Sequence, residues 1–347
     1  MNQTEFKGLL DRKGYLYTVD KSQIIVTHQR GVNLRSVTSL PDNVTFKNYG
    51  GVYLRSVTSL PDNVTFKNYG SVDLESVTSL SDNITFKNYG SVDLESVTSL
   101  PSNITFKNHG YVYLKSVTSL PDNVKFNNYG GVDLESVKSL PANITFNNHG
   151  WVDLESVTSL PVNIIFNNHG GVYLEKVTSL PDNVTFNNYG GVYLENLKGK
   201  HKYKGKEFEF MHVDGSTMLI ESSKKKGDIL IHKARYFGGG DIDKLKKCFV
   251  AQKGNYYAHG ETVKNAIEDV NFKFLQETFN TDDLVNQIKE SGIVTKNDYR
   301  LLTGACSLGC DMFIKEHGIS DSISLKKAKS LIHNVYGSDQ FNELFAE

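Results

Sequence analysis

"GVYLRSVTSLPDNVTFKNYG" spans residues 51–70, and residues 31–50 repeat it with one change, Asn33 in place of Tyr53. The same twenty-residue register runs on through units that end at Gly90, Gly110, Gly130, Gly150, Gly170 and Gly190. Residues 191–197 begin one more unit before the pattern dissolves into "KGKHKYKGK" at 198–206. A fixed period of this length marks a stack in which each coil buries its apolar face only against its neighbours.

Inside the unit at 51–70, Val52 and Leu54 alternate with polar neighbours, and so do Val64 and Phe66. That is strand periodicity. Val57 and Leu60 lie three apart between these pairs, too irregular for a strand and too short for an α-helix. Pro61 removes a backbone donor, and the Gly70 junction supplies a corner. Each coil therefore holds two short strands joined by an arc and a turn. The expected fold is mainly β: a two-sheet parallel β-solenoid of twenty-residue coils over 31–197, followed by an α+β C-terminal domain. The two asparagines that recur in every unit, Asn63 and Asn68 in this one, suit corner hydrogen bonding and stacked ladders.

The string "VYLRSVTSLPDNV" resembles short bacterial leucine-rich repeats, with their apolar-x-apolar strand and a Leu-Pro step before the next strand. The resemblance covers residues 31–197. The layout of near-identical SLPDN repeats followed by a mixed domain also resembles repeat proteins carried by tailed bacteriophages. It implies a phage product that acts on a bacterial host protein, such as a defence enzyme. "YYAHGETVKNAIEDV" (256–270) resembles the strand-to-helix step of HicB-type antitoxins, which implies a small α+β module there.

The inward positions barely change, whereas three outward positions on the first strand do. One row reads Asn33, Tyr53, Asp73, Asp93, Tyr113, Asp133, Asp153, Tyr173, Tyr193. Two residues on, the row reads Arg35, Arg55, Glu75, Glu95, Lys115, Glu135, Glu155, Glu175, Glu195. Two residues before, Tyr111 and the only tryptophan, Trp151, interrupt a row of glycines and serines. Exposed aromatics beside carboxylates have the composition of a protein-binding surface. The expected contact residues are Tyr53, Asp73, Glu75, Asp93, Glu95, Tyr111, Tyr113, Asp133, Glu135, Trp151, Asp153, Glu155, Tyr173 and Tyr193. Trp151 is expected to lie open between Gly131 and Gly171. Like charges on adjacent coils, roughly 4.8 Å apart, repel by about 1 kcal/mol in water. A basic partner would relieve them. The competing reading is neutral drift on a solvated face.

The second strand carries Lys47, Lys67, Lys87 and Lys107, and then Asn127, Asn147, Asn167 and Asn187. Residues 31–190 hold ten Lys/Arg against fourteen Asp/Glu, a balance that argues against nucleic acid. The whole chain is near neutral at −1. No apolar run is long enough to cross a membrane, no signal-peptide core opens the chain, and three cysteines make no disulfide framework. The expected setting is the cytoplasm.

An open solenoid needs caps. Residues 1–30 read as an N-terminal cap, with a short amphipathic helix at 3–12 and a degenerate coil strand within 24–31. Residues 198–206 read as a basic linker and 207–347 as the C-terminal domain. That domain opens on a three-stranded meander with turns at Asp214-Gly215 and Lys226-Gly227, and its last eighty or so residues read as helical. Gly238-Gly239-Gly240 reads as a turn with Asp241 as helix N-cap rather than a phosphate cradle, because no Lys-Ser/Thr follows. Cys306, Cys310 and His317 share a helix face, but a metal site needs a fourth ligand, for which Cys248 or His333 would have to be brought near by the fold. The expected reading is buried thiols packing a helix, with no metal or cofactor implied. No nucleophile–base set stands out. The expected function is a non-enzymatic protein-binding scaffold; the alternative is an enzymatic or nucleotide-binding C-terminal domain that the repeats target.

Overall fold

The computed structural model describes residues 1–239, 244–305, 307–320 and 322–346. The chain divides into two compact units, Met1–Glu221 with Arg235–Lys246, and Ser222–Ala234 with Lys247–Glu347. The first is a parallel β-solenoid of about eight coils of some twenty residues, as the repeat predicts. In each coil a two-residue strand such as Val52–Tyr53 enters a nine-stranded parallel sheet, and a second such as Thr65–Phe66 enters a ten-stranded sheet. Pairing advances by one repeat at each step, with Val52 opposite Val72 and Phe66 opposite Phe86.

The inward set follows from this register. Val52, Leu54, Val57, Val64 and Phe66 are fully buried, as are most of their equivalents in other coils. The phenylalanines form a column in which Phe66 lies 5.4 Å from both Phe46 and Phe86, with the three rings nearly parallel. Both asparagine rows are structural. Nδ2 of Asn68 donates to the carbonyls of Gly70 at 2.8 Å and Gly50 at 3.1 Å, tying each corner to the coil before it. Asn63 takes a left-handed conformation at φ 61°, which asparagine tolerates better than most residues, and its Nδ2 donates to Oδ1 of Asn43 at 3.0 Å. The arc was expected to be irregular. In two adjacent coils it tightens into a short parallel ladder, Ser59–Leu60 against Ser79–Leu80.

Both ends of the stack are covered. Helix Gln3–Arg12 opens with a capping box between Asn2 and Glu5 and buries Phe6 and Leu10. Strand Gln23–Val26 extends the ten-stranded sheet by pairing with Val44–Phe46. At the other end, residues 198–206, read above as a linker, contain strand Gly199–Tyr203, paired with Lys206–Val213. Its Tyr203 is fully buried and packs near Phe186 and Phe237. Gly239, at φ +82°, lies so close to Phe186 that a Cβ would sit 2.4 Å from the Phe186 Cβ. The glycine therefore serves close packing on the last coil rather than anion binding. Gly240 and Asp241, the expected N-cap, lie outside the described residues.

In the second unit, hairpin Lys247–Lys253 with Tyr256–Gly260 leads through the Thr262 N-cap into helix Val263–Thr278. This is the strand-to-helix step expected at 256–270. Buried Arg300 pairs with Asp269 at 3.1 Å and lies over the Phe272 ring. The C-terminal region is less uniformly helical than expected. Gly304, in the left-handed conformation, ends helix Lys296–Thr303, and strands Ile293–Thr295 and Ser322–Ser324 pair although residues 296–321 separate them.

Candidate functional site

The nine-stranded sheet presents its outward row in the expected order, since Tyr53, Asp73, Asp93, Tyr113, Asp133, Asp153, Tyr173 and Tyr193 are successive register partners. The face divides into two electrostatic regions. In the N-terminal half, Arg55 reaches Glu75 at 2.7 Å and Asp73 at 3.5 Å, and Lys115 reaches Glu95 at 3.0 Å. The Arg35 guanidinium sits 4.7 Å above the Tyr53 ring. Tyr53, Asp73, Glu75 and Glu95 thus have cationic neighbours within the protein itself, whereas Asp93 makes no ion pair among the described residues and its carboxyl is raised, first by burial and then by repulsion from Glu95, Asp73 and Glu75.

The C-terminal half is different. Among the described residues, no ion pair forms on Asp133, Glu135, Asp153, Glu155, Glu175 or Glu195. Glu175 is half-buried, and one carboxylate oxygen is buried without a hydrogen-bond partner. Burial first, and then repulsion from Asp153, Glu155 and Glu195, pushes its carboxyl above the ordinary range. Asp133 and Asp153 are raised in the same way, chiefly by burial, against the opposing effect of a backbone hydrogen bond.

Aromatic rings surround these carboxylates. Tyr173 and Tyr193 stack at 4.8 Å, Tyr111 lies 6.0 Å from Tyr113, and Trp151 bridges the two groups at 5.9 Å from Tyr111 and 6.4 Å from Tyr173. The tryptophan is half-buried rather than open. Its indole folds over Gly131, where a Cβ would come within 2.7 Å of the ring. The apolar ring withdraws one face from water by covering the adjacent position that lacks a side chain. Tyr111 and Tyr193 remain well exposed, at 41% and 42%.

The aspartates also have a role that composition did not reveal. Oδ1 of Asp93, Asp133 and Asp153 accepts the backbone N–H of the glutamate two residues on, at 3.2, 3.3 and 3.0 Å, and Asn33 does the same for Arg35 at 3.2 Å. These are Asx turns, and the recurring Asp/Asn before a tight turn is the signal that carries them. Because Asn33 makes the same bond, replacing Asp133 and Asp153 together by asparagine should keep the turns and remove the repulsion. A gain of about 1 kcal/mol is expected, read as a higher midpoint in urea unfolding. The sign for pH follows from the raised carboxyls: the folded state holds protons more tightly than the unfolded one. The penalty is complete above the folded pKa and lifts as pH falls through it, so mild acidification should stabilise the wild type more than the double variant.

The second unit holds an apolar cavity of about 200 Å³ lined by Val294, Tyr299, Cys310, Phe313, Ile323 and Val335, among others. Burial pushes the Tyr299 phenol up to about 12, and its hydroxyl donates to the Tyr336 carbonyl at 2.6 Å. Cys306 lies outside the described residues. Among the described residues, no group of three His, Cys, Asp or Glu is placed to hold a metal, and no helix is long and apolar enough to cross a membrane. No protein-family model, curated protein or solved structure matches the chain. The fold alone assigns a class, the parallel β-solenoid repeat proteins.

Proposed function

We propose that this protein is a non-enzymatic binding scaffold whose acidic, aromatic solenoid face captures a basic surface of another protein. One observation carries the reading: six carboxylates over Asp133–Glu195, all but the buried Asp133 at least half-exposed, make no ion pair among the described residues, and five aromatic rings are gathered beside them. A lysine or arginine arriving there gains a carboxylate and a ring together. The resemblance to tailed-phage repeat proteins supports a bacterial host protein as the target, with a defence factor as the specific case.

The test is affinity capture from bacterial lysate with the full chain, followed by titration of the purified partner. Glu135→Lys with Glu155→Lys changes only exposed charge and should abolish capture at low salt without lowering the melting temperature, since it also removes repulsion on Asp153 and Glu175. Trp151→Ala should weaken binding by at least about 2 kcal/mol, roughly thirtyfold. Because the indole also covers Gly131, it should lower the melting temperature slightly. Unchanged affinity in both variants would place the binding surface elsewhere.

A further inference from the structure

Two charged rows occur at the same repeat on different faces of the solenoid. On the ten-stranded sheet, Lys47, Lys67, Lys87 and Lys107 are exposed, and among the described residues none makes an ion pair. In the turns that follow the strands of the nine-stranded sheet, Glu135, Glu155, Glu175 and Glu195 occupy consecutive coils and likewise make no ion pair among the described residues. Each row advances by one side chain per strand spacing, roughly 4.8 Å. Within each row the repulsion is unrelieved.

The repeat selects the partner. Along an extended peptide, side chains on one face recur at roughly 6.6–6.8 Å, so such a ligand falls out of step after two contacts. A helix presents same-face residues about 5–6 Å apart on a curving stripe. A parallel, in-register β-stack alone keeps four cations opposite four carboxylates. The chain itself supplies such a stack. Its lysine row also stops where it would cease to be useful: in the later coils the same position holds Asn127, Asn147, Asn167 and Asn187. There Asn167 donates to Asn147 at 3.0 Å and Asn187 to Asn167 at 2.8 Å, so that stretch satisfies itself and carries no charge.

We propose that the protein associates with itself through these rows, the Lys47–Lys107 face of one copy against the Glu135–Glu195 face of the next. The inference rests on the reading of the acidic face as a binding face and names a second copy of this chain as its occupant. The two surfaces are different, so the contact is heterologous. It leaves one lysine face and one glutamate face free, and growth continues until a ring closes or a filament extends.

The experiment is sedimentation velocity on the full chain across protein concentration and salt. Wild type should gain mass with concentration at low salt and lose that gain at high salt. Replacing all four lysines by asparagine, the residue the later coils carry at that position, should weaken association by roughly 10- to 100-fold. Replacing the four glutamates by glutamine should do the same. Each variant keeps one intact face, so mixing them should give a one-to-one dimer and nothing larger. A monomeric wild type at low salt overturns the proposal, as do oligomers that persist in both variants or variants that remain monomeric when mixed. If wild type is monomeric while the lysine-to-asparagine variant still captures a basic protein, self-association fails and the scaffold reading stands.

Discussion

Replacing Phe66 by alanine is expected to cost about 3–5 kcal/mol, the usual range for truncating a buried phenylalanine. The ring is fully buried and lies 5.4 Å from Phe46 on one side and from Phe86 on the other, so the cavity opens in three coils at once. A solenoid has little means of closing it. Each coil is held in register by the hydrogen bonds of both neighbours, and a local collapse would break two ladders. Thr65, the adjacent residue on the same strand, points the other way and is half-exposed. Thr65→Ala should stay within about 0.5 kcal/mol. The pair is compared by chemical denaturation, and equal losses would mean that the second strand has the opposite face inward.

An alanine at Gly130 should cost about 3 kcal/mol or more, the upper end of what overpacking does, because the atoms it strikes are backbone. A Cβ there would lie 2.3 Å from the Gly110 carbonyl carbon, 2.5 Å from its oxygen and 2.5 Å from the Tyr111 nitrogen. Relief requires moving one coil away from the next. That would stretch the Gly130 N–H to Gly110 carbonyl bond, now 3.2 Å, and disturb the 2.8 Å bond from Asn128 to the Gly130 carbonyl. Gly130 is not among the positive-φ glycines, so the requirement is for space and not for an unusual backbone. Gly171 is the control. Its Cβ would meet first a carbon of the Tyr193 ring, at 3.2 Å, and that side chain can move. Gly171→Ala should therefore cost less than about 1 kcal/mol. Melting temperatures of the two variants decide the matter, at roughly 2–4 °C per kcal/mol for a unit of this size.

Most of the solenoid was legible in residues 31–197 because its rules are local. Alternation within each strand states which side chains face inward. The twenty-residue period states which residues meet on the next coil, so the Phe66 column and the Asn68 column can be written down from the sequence. The cap helix at 3–12 is equally local, since its capping box and its apolar spacing lie within ten positions.

Other features were decided only by the fold in three dimensions. That Trp151 lies on the outward face follows from the repeat, but its direction does not, because the ring chooses between water and whatever bare surface lies beside it. Gly131, twenty residues away, offers that surface. The balance of charge on the N-terminal half depends on Arg55 and Lys115 reaching carboxylates one coil away, while Lys115 turns to Glu95 and forms no ion pair with Asp133 or Glu135 on its other side. Gly239 reads as a turn in sequence and turns out to be fitted against Phe186, more than fifty positions earlier. The strands Ile293–Thr295 and Ser322–Ser324 are three residues each, too short to show a period of their own. The sequence by itself determined the repeat, the inward set and the order of the outward rows, since each depends on neighbours at a fixed spacing. Tertiary structure decided which charges are satisfied and which rings stay open, because those depend on distances between side chains that no spacing rule fixes.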